Sequence, residues 1–443
     1  MVLTELVEIM RQNGVAGAGG AGFPSYAKLD KRADTIILNC AECEPLLKLH
    51  RQVLEKYAFE VLSTLDIIAE AVEAEHIIIA IKEAYKSAVE AVKANLDRFP
   101  KVTIGYLPEV YPAGDEVITI YETTKRVVAP GALPITVGVT VFNVETILNV
   151  YNAINSTKPV TTKYITIAGE VKNPITFKAP LGMTYAELIE IAGGATVSDY
   201  TLIGGGPMTG GIVSPADVVT KTSNAILVLP TNHPLISKKL SKIQIDMKRA
   251  MAACCQCRMC TDLCSRNLLG HPIEPHAFMR SATSGTTKDV GTFVNTMYCS
   301  QCGICELYAC GQNLSPRTLI GEYKMGLRAA GLQIDHSKAK FDKVNEQREQ
   351  RLIPMPRLTA RLGLTKYNLP APLVDETVGA KKVKIMLSQN IGVPAAPCVK
   401  KGDMVTEGQV IGTAAEGKLS MPVHASVNGK VTEVNEKFII IEA

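Results

Sequence analysis

At 443 residues, 47% hydrophobic and with a net charge of +4, the chain has apolar material for three or four cores and no basic footprint of a nucleic-acid binder. No apolar run approaches the roughly 18 residues of a membrane span, since the longest, around Ile77 to Ile81, is broken by Lys82 and Glu83. The opening MVLTELVEIMRQNG lacks the pattern of a secretory leader, so the twelve cysteines point to a reducing cytosol and metal ligation rather than to a disulfide framework.

Leu3 to Met10 has helical spacing and runs into Gly14-Val-Ala-Gly17-Ala-Gly19-Gly20-Ala-Gly22-Phe23-Pro24, which formally contains G-x-G-x-x-G. A dinucleotide fingerprint follows a strand and opens a helix, whereas here a helix precedes the glycines and Pro24 follows them. The loop reads either as a plain turn or as a place where bare backbone approaches a flat ring or a phosphate, with N–H groups facing the anion. Lys28 would add a positive charge to the same phosphate. Thr35 to Leu38 reads as a buried strand delivering Asn39-Cys-Ala-Glu42-Cys43-Glu44-Pro45 at its end, where α/β folds bind ligands. Residues 50 to 98 read as helices, with Leu54, Ala58, Val61, Leu62 and Leu65 at helical spacing, around a strand at Ile77 to Ile81. An α/β domain is expected to about residue 155.

Tyr164 to Pro174 reads as a hairpin and Thr184 to Ala192 as a helix capped by Thr184. Gly204-Gly-Gly-Pro207-Met-Thr-Gly210-Gly211 lacks the Gly-Lys-Ser/Thr of a phosphate loop and is expected to be structural.

Two cysteine runs follow, Cys254-x2-Cys257-x2-Cys260-x3-Cys264 and Cys299-x2-Cys302-x2-Cys305-x4-Cys310. Three thiolates two residues apart wrap one cubane and a fourth completes a set, the spacing of a 4Fe–4S ferredoxin. Structural zinc prefers two separated C-x2-C pairs. The fourth cysteine of each run is expected to serve the other cluster, giving Cys254, Cys257, Cys260 and Cys310 against Cys299, Cys302, Cys305 and Cys264. Cys255 breaks the rhythm and reads as a bystander, and Cys40, Cys43 and Cys398 as small buried residues. Ser265 and Gly311 stand where ferredoxins usually carry proline. His271, His276 and His424 read as surface or hydrogen-bonded side chains rather than ligands. Residues 336–376, densely charged from Lys338 to Arg351, read as solvated helix and linker. Val383 to Ala443 shows short β patterns punctuated by glycines.

The segments GVAGAGGAGFPSYAKL, ILNCAECEPLL, YPAGDE (Tyr111 to Glu116) and FNVETILNV (Phe142 to Val150) together resemble the flavin-binding module shared by the NADH-oxidising subunit of respiratory complex I and the RnfC family. Over essentially the whole chain the resemblance is to the PduS family of cobalamin reductases of propanediol-utilisation microcompartments. It implies a multidomain α/β and α+β protein: a complex I 51-kDa-like FMN- and NADH-binding α/β domain (1–155), an SLBB β-grasp domain (160–232), a helical ferredoxin-like domain with two 4Fe–4S clusters (238–335), the linker (336–376) and a lipoyl-like barrel-sandwich domain (380–443). The C-terminal place of the last module favours PduS over RnfC, and its Ser420-Met-Pro-Val-His424 has no lysine to carry a cofactor, so it reads as a scaffold. Carried over by position, Gly17, Gly19, Gly20, Lys28, Asn39, Glu42, Glu44, Asp115, Glu116, Asn143 and Thr146 are the implied flavin-pocket residues. Cys43 stands where the complex I proteins carry serine, and Ala41 replaces an acidic residue of theirs.

The implied activity is NADH-dependent reduction of cobalamin through FMN and the clusters, reactivating the corrinoid of a diol dehydratase. The implied setting is the cytoplasm or a bacterial microcompartment lumen, with NADH, cobalamin or a cobalamin adenosyltransferase, and shell or core proteins as partners. An RnfC-like subunit of a membrane ion-translocating complex and a proline-reductase-associated electron carrier use the same parts. The chain has no Asp-x-His-x-x-Gly corrinoid signature.

Overall fold

The β-branched runs Thr35–Cys40, His76–Lys82, Val102–Leu107 and Val139–Asn143 form a parallel four-stranded sheet in the computed structural model, which describes residues 1–285, 289–335 and 341–443. The strand order is Val102–Leu107, His76–Lys82, Thr35–Cys40, Val139–Asn143. Such a sheet is covered on both faces, which is why its central strand is a nearly continuous apolar run. Ile36 and Leu38 enter a core with the helices Leu3–Gln12, Ala58–Val72 and Val144–Ser156, while Ile37 faces Val139, Val141 and the helix Glu116–Thr124. The register places Asn39 beside Asn143 at the carboxyl end of the sheet, although 104 residues separate them.

The expected hairpin is present as Thr162–Gly169 and Ile175–Pro180. Ala225–Pro230 joins it in parallel, and Tyr200–Gly204 and Gly211–Val213 continue the sheet antiparallel. The helix Tyr185–Ile191 starts from a capping box: the Glu187 N–H donates to Thr184 Oγ1, and the Glu187 carboxylate accepts from the Thr184 N–H at 2.9 Å.

This β-grasp unit and the first α/β unit share one continuous core. A buried ion pair, Lys163 to Glu145, sits at their junction, with both side chains no more than 2% exposed. The Tyr164 N–H donates to the same carboxylate at 2.9 Å. Charges taken out of water this completely persist only when paired and hydrogen-bonded.

The cysteine-bearing unit is helical. Ile243–Ala253, Pro275–Ser284 and Pro316–Ala329 pack around Ala250, Phe278, Leu319 and Ile320.

The charged stretch expected as a solvated linker is a strap. Lys338 lies outside the described residues, but Arg348 is buried, paired with Glu122 and placed over the Tyr121 ring at 4.9 Å. Ile353–Pro354 pairs with Val110–Tyr111, and Leu373–Thr377 adds a sixth strand to the β-grasp sheet beside Ile175–Pro180. Charge density hid the apolar Ile353, Leu358, Leu362, Leu364 and Tyr367, all buried.

The C-terminal unit is two small sheets around Val383, Ile385, Ile411, Val431 and Ile439. Its Ser420–His424 stretch is wedged against the first two units, where Tyr26 donates to Ser420 O at 3.2 Å and the nearby Ser426 to Leu181 O at 2.6 Å. Cys398, expected to be buried, is exposed. Among the described residues no helix is long and apolar enough to cross a membrane.

The Lys163–Glu145 pair gives a direct test of the shared core. Lys163→Met leaves Glu145 buried and unpaired and should cost about 3–5 kcal/mol. Urea unfolding followed by circular dichroism should show the loss, and Lys163→Met combined with Glu145→Leu should recover most of it.

Candidate cofactor site

A cavity of about 740 Å³ opens at the carboxyl edge of the parallel sheet, within the usual range for a cofactor site. All eleven residues carried over as flavin-pocket residues line it: Gly17, Gly19, Gly20, Lys28, Asn39, Glu42, Glu44, Asp115, Glu116, Asn143 and Thr146. The glycine loop forms one wall. It is pinned by Gly17 N–H donating to Phe23 O at 2.9 Å and by Ala18 N–H donating to Thr146 Oγ1 at 2.9 Å. A Cβ on Gly19 would lie 2.8 Å from Asn143 Nδ2, whereas Gly20, at φ +94°, faces open space. That bare cradle fits a flat ring or phosphate laid against backbone, as FMN requires.

The strand ends supply the opposite wall. Asn39 Nδ2 donates to Gly114 O at 2.9 Å while its Oδ1 accepts from Ala41 N at 3.1 Å. Asn143 caps the helix Val144–Ser156 through Glu145 N and lies 3.0 Å from His50 Nε2. Burial pushes His50 down to about 3, so the ring is neutral. Glu42 accepts from His50 N at 2.8 Å, Arg51 Nε stands 3.5 Å away, and its Oε2 is buried without a hydrogen-bond partner. Burial raises this carboxyl against the pull of Arg51. Lys28 does not stand free for a phosphate: its Nζ donates to Glu116 Oε1 at 3.0 Å and Val141 O at 2.9 Å.

Two of the carried-over acids are committed to other partners. Glu44 accepts from Met208 N and Thr209 N at 2.8 and 2.9 Å, and from Thr209 Oγ1. Asp115 caps the helix Glu116–Thr124 and pairs with Arg266 at 2.8 Å. The Glu44 contact revises the reading of the second glycine stretch. Gly204 to Gly206 and Thr209 to Gly211 wall the same cavity, and a Cβ on Gly206 would collide with the Glu44 carboxylate. No Gly-Lys-Ser/Thr signal marks that role, because the loop meets the site by tertiary contact. His50, Asn224 and Ser300 also line the cavity without any local sequence signal.

The cysteine runs share one backbone design. Gln256 and Arg258 in the first run, and Gln301 and Gly303 in the second, have left-handed φ of 54°, 69°, 61° and 84°. These turns curl each loop, and N–H groups lie close to sulfur. Gln301 N and Nε2 each lie 3.4 Å from Cys299 Sγ, Gln256 Nε2 3.2 Å from Cys254 Sγ, and Leu314 N 3.3 Å from Cys310 Sγ.

The two runs meet crosswise. Burial first, then the charges of Cys310, Cys254 and Cys257, push Cys260 up to about 12. Burial with Cys302 and Cys299 does the same to Cys264, and Cys305 is raised by burial with Cys299, Cys302 and Cys264 beside it. Four thiols crowded in this way ionise together only around a compensating cation, so each group fits an iron–sulfur cubane. Among the described residues no three His, Cys, Asp or Glu side chains are arranged to hold a single metal ion; a cubane spreads its thiolates more widely. Cys255 is exposed outside both groups.

The second group abuts the cavity. Cys302 and Ser300 line it, and Tyr111 O–H donates to Cys302 O at 2.6 Å. Arg266, two residues after Cys264, reaches back to Asp115 on the cavity wall. The first group lies further out, with Cys257 exposed.

Four family models match successive parts of the chain: the Nuo51 FMN-binding domain over residues 10–152, the SLBB domain over 164–210, a 4Fe-4S dicluster domain over 253–315 and the RnfC barrel sandwich hybrid domain over 371–442. Cobalamin reductase PduS of Salmonella typhimurium (strain LT2) is 40% identical over 438 residues, covering 99% of this chain and 96% of that protein. Its counterpart in Citrobacter freundii is 40% identical over 435 residues, covering 98% and 95%. One component of the proton-translocating ferredoxin:NAD(+) oxidoreductase complex of Clostridium ljungdahlii is 34% identical over 256 residues, covering 56% of this chain and 55% of that one. The crystal structure of an NAD+-reducing NiFe hydrogenase in the H2-reduced state shares the fold, with a TM-score of 0.50 at 18% identity over 76% of this chain and 68% of that one. Full-length similarity, the matching modules and the geometry of cavity and cysteines agree: the chain belongs to the PduS family of cobalamin reductases, RnfC-like flavin and iron–sulfur oxidoreductases.

Proposed function

We propose that the protein oxidises NADH at FMN held in the cavity and passes electrons through two 4Fe–4S clusters to cobalamin, returning the corrinoid to the reduced form that a diol dehydratase needs. The carrying observation is that one cavity is walled on one side by the glycine loop and strand ends and on the other by Ser300 and Cys302. The relatives named as cobalamin reductases supply the acceptor. The RnfC-type alternative is supported over little more than half of the chain. A cobalamin adenosyltransferase as partner and a microcompartment lumen as location belong to the same reading, as does a cytoplasmic site of action.

Bound FMN would supply the exchange of a hydride pair for single electrons, and bound clusters the one-electron relay. The chain's own residues do the positioning. Gly19 and Gly20 admit a ring edge or phosphate to the backbone, and Lys28, tied to Glu116 and to Val141 O, braces the wall beside them. Asn39 and Asn143, fixed by Gly114 and by neutral His50, present oriented amides. Glu44 holds the 204–211 loop over the cavity and so shields it from water. Tyr111 and the Arg266–Asp115 pair hold the Cys299–Cys305 loop and the Cys264 turn against the flavin side.

Anaerobically reconstituted protein should contain about eight iron atoms and eight acid-labile sulfides per chain, the content of two cubanes. Iron near four after full reconstitution, or zinc in its place, would sink the two-cluster reading.

Gly19→Val should abolish FMN retention, because even its Cβ would meet Asn143 Nδ2 at 2.8 Å. Iron content should be unchanged; native flavin stoichiometry in this variant would show that the glycine loop is only a turn.

Cys302→Ser should preserve NADH-dependent flavin bleaching in stopped flow while slowing cob(III)alamin reduction about tenfold or more, as a broken link in a series does. Native cobalamin rates in a variant shown to lack that cluster would take the inner cysteine group off the main path.

A further inference from the structure

The surface around the outer cysteine group combines exposed apolar side chains with cations. The helix Ile243–Ala253 buries Asp246 and Ala250 and leans Ile243 and Met247 on the core of its unit. Its opposite face carries Ile245, Lys248, Arg249 and Ala252, with Met251 at the edge, and all five are exposed. The helix ends at Cys254, a member of the outer group, and Met259 lies beside Cys260. Ile245, Met251 and Met259 are between 43% and 62% exposed, and large apolar side chains left in water this close together mark an interaction surface.

Cations ring the patch. Residues 238–262 contain six lysines and arginines against two acids, Asp246 and Asp262. Asp246 is buried against Ser241, and Asp262 is paired with Arg258 and Arg351. Lys248 and Arg249 make no hydrogen bond or ion pair among the described residues. Of the six, Lys238 donates to Asn313 O at 2.8 Å, and from a neighbouring segment Arg361 donates to Cys310 O at 3.4 Å, placing one further cation beside the outer group.

We propose that the exposed face of Ile243–Ala253, with the Cys254–Cys260 loop, is the docking surface for an electron-carrying protein that presents an acidic rim around an apolar centre. The proposal rests on reading the cysteines as cluster ligands, with electrons leaving from the group farther from the cavity. Each encounter moves one electron: the outer cluster is oxidised by one unit, the carrier is reduced by one, and the reduced carrier takes any proton from solvent.

The charge pattern selects this occupant. A second copy of the chain would bring the same cationic rim against itself, since a two-fold interface pairs like with like. A lipid surface would attract the cations but offers nothing to reduce. Brief redox encounters bury little area and rely on such charge steering.

The test uses full-length reconstituted protein with flavodoxin, an acidic one-electron carrier, as probe. Binding by calorimetry at low salt should weaken about tenfold or more in Lys248→Glu/Arg249→Glu and lose most of its salt dependence, as expected when rim charges steer association. NADH-driven flavodoxin reduction should fall in parallel, with iron content and flavin bleaching unchanged. Ile245→Gln/Met251→Gln, which alters exposed side chains only, should weaken binding without removing the salt dependence.

Binding indifferent to salt and to both variants would overturn the proposal. So would loss of self-association in the charge-reversed variant, which would make the face a homo-oligomer contact, and so would binding to phosphatidylglycerol vesicles in preference to flavodoxin. The corrinoid reading is scored separately: native protein that binds and reduces flavodoxin in this pattern but leaves cob(III)alamin untouched retires the corrinoid and keeps the surface, while the reverse result retires the surface alone.

Discussion

Because Thr35–Cys40 and Val139–Asn143 run parallel with Asn39 opposite Asn143, both strands turn away at the same edge and leave their last polar side chains facing one space. In a parallel sheet covered on both faces, ligands bind outside the carboxyl ends of the strands, which is where this cavity lies. The remaining units are arranged around it. The glycine loop bounds the space on one side, the 204–211 loop is held over it by Glu44, and the Cys299–Cys305 turn, held by Tyr111, brings sulfur to its margin.

Holding three units at one cavity requires contacts that do not slip, and the molecule uses buried charge for them. Glu145 sits two residues after the capping Asn143 and pairs with Lys163 at the start of the β-grasp sheet, so the strand end and the second unit share one anchor. Asp115 caps its own helix and pairs with Arg266 beside Cys264. Arg348 fixes the strap to Glu122. Removing one partner of such a pair strands a charge in low dielectric, which makes the arrangement all-or-none. The same logic explains why the strap, charged as it is, does not float: its buried arginine and its row of leucines cross from the first unit to the β-grasp sheet.

The crosswise meeting of the cysteine runs sets one group of thiols against the cavity and the other away from it. Cys310 stands with the first run and Cys264 with the second, so the group containing Cys302 lies against the cavity while the group containing Cys257 faces out. In the inner group Cys305 is buried and Cys264, Cys299 and Cys302 are half-buried, with Arg266 tied to Asp115 two residues after Cys264; the outer loop follows the exposed Lys248 and Arg249. Under the proposed relay, an electron moving outward would pass from a shielded, geometrically fixed environment to one suited to brief encounters.

Spacing alone singles out the eight cysteines as candidate ligands, because ligation of a cubane demands short-range geometry that a sequence records directly. The two-residue rhythm needs left-handed turns at Gln256, Arg258, Gln301 and Gly303, and those turns are local. The central strand, the hairpin at Thr162 and the capping box at Thr184 were legible for the same reason: each is decided within a few residues. Family resemblance added the eleven cavity residues, which no local pattern brings together. Only the tertiary structure decided how those residues are used. Glu44 and Lys28 look free in sequence, yet one holds a loop more than 160 residues away and the other is held by Glu116. The second glycine stretch looked merely structural because its partner is a carboxylate in another unit. The charged strap looked solvated because charge is counted along the chain, whereas burial is decided by what the fold places opposite Arg348. Local geometry is written in neighbouring residues; the partner of a charge is written nowhere until the chain has folded.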